Sequence, residues 1–172
     1  SPPVLWRLEH GLIAEPTLAH LCRAARAVGM RASIKLYPLD ELVRDTPQLR
    51  VLARFVAVLA PPIELQREVG LPIATDRRAW DARITDGERA ASIECETRLT
   101  DVQAVQRKIE LKLRDDPDAG VVILLVGRTT HNRRVLREHR ESLRSDFPLD
   151  GSAILRDLRA GRVPATGGIL ML

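Results

Sequence analysis

"DARITDGERAASIECETRL", residues 81–99, is the stretch on which the architecture turns. "TDGE" is a tight turn between two runs of alternating character, so the segment reads as a hairpin of strands near residues 77–84 and 90–99. Side chains alternate along a strand. Glu94, Glu96 and Arg98 therefore share one face, opposite Ile93, Cys95, Thr97 and Leu99, and Asp81 and Arg83 oppose Trp80, Ala82 and Ile84. Neighbouring strands lie about 4.8 Å apart and alternate residues about 7 Å apart, so Asp81 stands beside Glu94 and Glu96 if the register brings them level. Two like charges about 4 Å apart repel by about 4 kcal/mol at an effective dielectric of about 20. Such a cluster needs a cation, a proton or a close basic side chain. Magnesium, which takes a few carboxylate oxygens and keeps water, is one answer. Arg98 and Arg83 are another, and the acids are then a polar strand face of little energetic weight.

Outward from the hairpin, "TPQLRVLARFVAVLA" predicts a helix starting with Pro47 in its first turn and ending at Pro61-Pro62, with Leu49, Leu52, Phe55, Val56 and Leu59 inward. A strand is expected near residues 63–69. On the other side, "TDVQAVQRKIELKLRDD" predicts a helix with Val102, Val105, Ile109 and Leu113 on its apolar side. The uninterrupted "VVILLV" suits a strand covered on both faces. One more helix at "HNRRVLREHRESLRS", another at "SAILRDLRAG" and a terminal strand at "GGILML" complete the order. The fold class is α/β (α+β), a mixed sheet sandwiched between helices.

The chain has 172 residues, enough for one ordinary core and a small appendage. No apolar run approaches the roughly 18 residues of a membrane span, and "SPPVLWRLEHG" lacks the pattern of a secretory signal, so a cytoplasmic protein without membrane partners is expected. Cys22 and Cys95 lie far apart, outside metal-ligand spacing, which speaks against zinc and against a disulfide framework. Both are expected reduced and buried, and nothing suggests a nucleotide cofactor. The net charge of +4 permits an acidic partner, and the 3% aromatic content argues for duplex DNA over stacked single strands.

Asp81, then Glu94-Cys95-Glu96 on the following strand, then a helix and a strand, resembles the PD-(D/E)xK, restriction-endonuclease-like arrangement over residues 46 to about 145. The resemblance implies a magnesium-dependent nuclease site with Asp81 and Glu94 as metal ligands. Glu96 takes the place usually held by lysine, and Trp80 stands where the family has proline. Gln103 falls where many such enzymes carry a glutamine or lysine, although Thr100-x-x-Gln103 also reads as a capping box. Lys108 and Lys112 are candidate replacements for the lysine, and on such a helix are as readily solvated.

Arg133, Arg137, Arg140 and Arg144 recur along one helical face, a stripe suited to phosphates, though Arg134–Glu138 and Arg137–Glu141 are also spaced for ordinary helix pairs. His131 and Asn132 lie at the helix start, where a phosphate finds free donors, or where Asn132 or Thr130 caps. Residues 1–31 carry a second resemblance, to the latter half of a lambda-repressor-type (Cro-like) helix-turn-helix. Leu8-Glu9-His10-Gly11 stands for the end of its recognition helix, and the resemblance sets Pro2, Pro3 and Trp6 towards DNA. An N-terminal pair of amphipathic helices is the plainer reading. With "RAWD", "ECETRLTDVQ" and "TTHNRR", the whole chain resembles bacterial regulator-type proteins that join such a helix-turn-helix to a second domain.

The expectation is therefore a partial helix-turn-helix over residues 1–31 and a PD-(D/E)xK-like domain over 32–172, forming a DNA-binding, homodimeric regulator. The alternatives are a magnesium-dependent DNA endonuclease using Asp81, Glu94, Glu96 and Gln103, and a non-catalytic structural or dimerisation module.

Overall fold

The computed structural model describes residues 6–7, 10, 17–29, 39–73 and 76–172, with 39–46 as backbone. Pro2, Pro3, the Leu8-Glu9 pair and Gly11 lie outside the described residues, as does "RASIKLYP", where alternation of Ala32, Ile34 and Leu36 with Ser33, Lys35 and Tyr37 predicts a strand. The chain divides into two compact units, Ser1–Asp40 and Glu41–Leu172.

In the first unit, α1 spans Leu18–Ala27 and opens on a capping box. The Thr17 hydroxyl accepts the His20 N–H, and the His20 ring in turn faces the Thr17 N–H. Helical spacing of Leu18, Leu21, Cys22, Ala25 and Val28 predicts one apolar face on this helix, and of these Leu18, Leu21 and Val28 are exposed and Cys22 is partly covered.

Helix α2, Leu39–Val56, leads into the second unit. It begins earlier than Pro47, which stands inside it: the ring removes one bond from the ladder, but Glu41, Leu42 and Arg44 before it are good helix formers. Its inward stripe is Val51, Leu52 and Phe55, while Leu49 and Val56 are exposed. Strands β1 (Glu64–Gly70), β2 (Ala79–Thr85) and β3 (Ala90–Glu96) follow. Helix α3 (Val102–Asp115) crosses to β4 (Val121–Val126), and α4 (Thr130–Glu138), α5 (Arg140–Asp146) and α6 (Gly151–Arg159) lead to β5 (Gly168–Met171).

The five strands form one mixed sheet in chain order, antiparallel from β1 to β3 and parallel from β3 to β5. Helices cover both faces, as the pattern predicts. On one side Ala82, Ile84, Ala91, Ile93, Ile123 and Leu125 pack under Leu52 and Phe55 of α2 and Ile154 and Leu158 of α6. On the other, Trp80, Val122, Leu124 and Val126 pack under Val102, Val105 and Ile109 of α3 and Leu143 of α5. Strand β4 thus supplies side chains to both cores, the reason its sequence is apolar throughout.

The hairpin turn works through its side chains. Asp86 Oδ1 accepts the N–H groups of Glu88 and Arg89, and Gly87 takes φ +90°, a conformation open to glycine. Gly120, at φ +66° before β4, lies so close to the Ala90 carbonyl that no Cβ fits.

The single helix expected after β4 is two, broken at His139. No proline or glycine marks the break. Beyond it Leu143 and Phe147 are both buried, so core packing rather than a breaker residue accounts for it.

Candidate functional site

The register places the acids on neighbouring strands but does not make them converge. Strands β2 and β3 pair through Thr85–Ala90, Ile84–Ala91, Arg83–Ser92 and Ala82–Ile93, and the ladder ends one step short of Asp81 and Glu94. On the other side, the β1–β2 ladder skips the Glu68–Asp81 step, and Glu68 has φ +51°. Both strands turn over at this point. Leu65 and Ile84 face the α2 layer, whereas Val69 and Trp80 face the α3 layer. Simple alternation sets Trp80 with Ala82 and Ile84; a left-handed residue in the adjacent strand breaks that alternation.

At the turnover the Asp81 carboxylate points to β3. Its Oδ2 accepts the Cys95 N–H at 2.7 Å, in place of a backbone carbonyl, and its Oδ1 accepts Gln48 Nε2 from α2, also at 2.7 Å. Gln48 carries no motif and was not legible as a partner of Asp81.

Glu94 is 1% exposed and faces α3. Its Oε1 lies 2.5 Å from Lys108 Nζ, and its Oε2 accepts from Lys112 Nζ at 2.6 Å. Lys108 also bonds Glu96 Oε1 at 2.9 Å. Lys112, 4% exposed, donates in addition to the Ala79 carbonyl at 2.6 Å and stands 5.0 Å above the Trp80 ring. Lysines of α3, not arginines, neutralise the strand acids. Arg98 is exposed, and Arg83 pairs with the buried Asp116, which also accepts the Trp80 indole N–H at 2.8 Å. Lys112 extends the stripe Val102, Val105, Ile109 by three residues, the position that the expected pattern passed over for Leu113. A lysine on an apolar stripe above a strand acid is the available signal: its stem packs with the core while its ammonium meets the acid.

The two lysines balance Glu94 and Glu96, and Asp81, on the neighbouring strand, has no basic partner of its own among the described residues. Burial, then the neighbouring Glu94 charge, push the Asp81 carboxyl up to about 6, against the Cys95 N–H, which favours the ionised form. Burial works against the Lys108 charge, but its bonds to Glu94 and Glu96 outweigh that and hold the ammonium above the usual lysine range. Burial, then Asp81, push the Cys95 thiol up to about 12, so it stays neutral.

Asp81 therefore has a measurable pH signature. With its folded value above the ordinary one, the folded protein keeps a proton between about pH 4 and about pH 6 that the unfolded chain has released. Stability falls as pH rises through that window, and the loss persists above it. In Asp81→Asn the amide still accepts from Cys95 and, with Gln48 flipped, donates to it. The variant is expected to be more stable than wild type at pH 7 by on the order of 2 kcal/mol, with the difference opening between pH 4 and 6. Urea unfolding across this range reads it; a difference independent of pH means that Asp81 does not titrate there.

These residues as arranged do not fit a magnesium ion. Both oxygens of Glu94 carry ammonium groups, both oxygens of Asp81 carry N–H donors, and among the described residues no three His, Cys, Asp or Glu side chains stand together to hold a metal.

The remaining candidates are dispersed. Gln103 is exposed on the first turn of α3, and the helix is capped by Asp101, which accepts the Ala104 N–H, rather than by Thr100. Asn132 is fully buried: Oδ1 accepts the Leu99 N–H, and Nδ2 donates to the carbonyls of Thr97 and Gly127. Its amide has no surface to offer a phosphate, and Thr129 caps α4 instead. His131 Nε2 lies 2.7 Å from the Leu99 carbonyl. Arg133 and Arg137 are exposed, and among the described residues neither forms an ion pair, whereas Arg134 meets Glu138 at 3.8 Å. Trp6 is exposed and stacks on His10 with centroids 4.4 Å apart.

The site is thus an acid–lysine cluster set between a mixed sheet and a helix. No family model matches the chain, nor does any curated protein or solved structure. Among the described residues no helix is long and apolar enough to cross a membrane.

Proposed function

We propose that the chain is a DNA-binding, regulator-type protein whose second unit is a restriction-endonuclease-like domain with lysine ammonium groups in place of a catalytic cation. The observation that carries this reading is the double pairing of Glu94 with Lys108 and Lys112. Its acids occupy the middle strands that the PD-(D/E)xK resemblance implies, within the order helix, three-strand meander, helix, parallel strand. A buried carboxylate with both oxygens on ammonium groups needs no metal to be neutral. Support for DNA as partner is the pair of exposed arginines Arg133 and Arg137 on α4, free to meet phosphates. By the same reading Trp6 and the residues before it contribute to the DNA face, and the protein acts as a cytoplasmic homodimer.

Fluorescence anisotropy with labelled duplex DNA tests this. Affinity is expected to fall steeply with salt, and Arg133→Ala with Arg137→Ala is expected to reduce the log–log salt slope by about 1 for each phosphate that is no longer neutralised. DNA is expected to remain intact with magnesium or manganese. Metal-dependent cleavage that vanishes in Asp81→Ala replaces the reading with a nuclease that exchanges its lysines for a metal ion. Absence of salt-sensitive binding leaves a structural or dimerising module, which sedimentation resolves.

A further inference from the structure

A second site lies at the far edge of the sheet, where β5 ends the strand order. A groove of about 560 Å³ runs over this strand between α5 and α6. Its floor is apolar, built from Leu136, Phe147, Leu155 and Ile169, and its wall carries Arg137, Arg140 and Arg144. The break at His139 separates Arg137 from the other two, so the stripe read as one straight helical face follows α4 and then α5.

The three guanidinium groups are unspent. Among the described residues none makes an ion pair or a side-chain hydrogen bond, and the expected Arg137–Glu141 pair is not formed. Of the acids close to them, Glu141 is exposed and stands outside the groove lining, and the others are engaged elsewhere. Glu138 meets Arg134, Asp146 accepts from Gln106 at 2.7 Å, and Asp150 caps α6 through the N–H groups of Ser152 and Ala153. Of these only Asp150 and the three arginines line the groove, which leaves it two positive charges in excess.

An apolar floor beside several unpaired planar donors defines its complement. Arginine forks match carboxylates, and pockets of about 300–1,000 Å³ enclose small organic ligands. A phosphodiester backbone satisfies the charge but leaves the floor wet. We infer that this groove binds a small organic anion with an apolar body, an aryl or medium-chain carboxylate, through Arg140 and Arg144, which the DNA reading does not use, with Arg137 at the boundary of the two faces.

Calorimetric titration of the full chain with octanoate and 2-naphthoate, against neutral 1-octanol and 2-naphthamide, tests this. The acids are expected to bind at one saturable site at least about tenfold more tightly than their neutral counterparts. Arg140→Ala with Arg144→Ala, both at exposed positions, is expected to erase that preference without changing the thermal midpoint. Arg133→Ala is expected to leave it intact while weakening DNA binding. Equal binding of acid and neutral probe overturns the inference, as does no saturable binding of either acid. So does loss of duplex DNA binding in the Arg140/Arg144 variant with carboxylate binding unchanged, which assigns those arginines to phosphates.

Discussion

Lys112→Met is expected to destabilise the Glu41–Leu172 unit by about 3 kcal/mol, the low end of the cost of breaking a buried pair, because Glu94 loses its buried partner and keeps only the half-exposed Lys108. Methionine keeps the stem that packs along the Val105–Ile109 stripe, so the loss isolates the ammonium. Three interactions go with it: the 2.6 Å bond to Glu94, the bond to the Ala79 carbonyl and the contact with the Trp80 ring. Lys108 contrasts with it. Its side chain is 46% exposed, water can replace it at Glu94 and Glu96, and Lys108→Met is expected to cost about 1 kcal/mol or less. The pair itself is tested by adding Glu94→Leu to Lys112→Met. Once both partners are apolar no buried charge remains, and stability is expected to recover to within about 1 kcal/mol of wild type or to exceed it. Urea unfolding at pH 7 reads all four proteins. Equal small losses for the two lysine variants mean that Glu94 is solvated and the cluster open. That outcome also weakens the proposal that ammonium groups stand in for a cation.

This contrast shows where local sequence rules reach and where they stop. The run "VVILLV" could be read as a doubly covered strand because burial on both faces demands apolar residues at every position, and β4 has them. "TDGE" could be read as the hairpin turn because its aspartate and glycine perform local functions that need nothing distant. The orientation of Asp81 was not legible in the same way. It depends on the backbone of Glu68, in a strand thirteen positions earlier, and no residue type announces a left-handed glutamate. Gln48 was hidden for a related reason, and Lys112, named as a candidate beside the acids, could not be told from a solvated lysine. Each meets its acid across a layer boundary, and polar residues on helices default to solvent unless something opposite recruits them. Asn132 was legible as a helix-start residue, but which groups its amide satisfies depends on the loop after β3, 33 residues back in the chain at Leu99.

Asn132 carries the second large effect. Its amide closes three backbone groups around the junctions that follow β3 and β4: the Leu99 N–H at 2.9 Å, the Thr97 carbonyl at 2.9 Å and the Gly127 carbonyl at 2.8 Å. Asn132→Ala leaves the Leu99 N–H and the Thr97 carbonyl without partners, at about 1–3 kcal/mol each before relaxation admits water, and takes one of two bonds from the Gly127 carbonyl, which keeps the Thr129 N–H. A net loss of about 3–4 kcal/mol is expected. Asn132→Asp differs by one atom and is expected to be worse at pH 7. A carboxylate still accepts from Leu99, but it sets a negative oxygen against two carbonyls at a fully buried position. Protonation restores a donor, so the folded state holds the proton to a higher pH than the unfolded chain does. The stability of Asn132→Asp therefore rises relative to Asn132→Ala as pH falls from 7 towards 4, a crossing that urea unfolding at several pH values detects. Parallel pH profiles for the two variants would mean that the side chain at 132 reaches water. The phosphate role that the sequence suggested for this residue makes a different forecast: unchanged stability and weaker DNA binding in both variants.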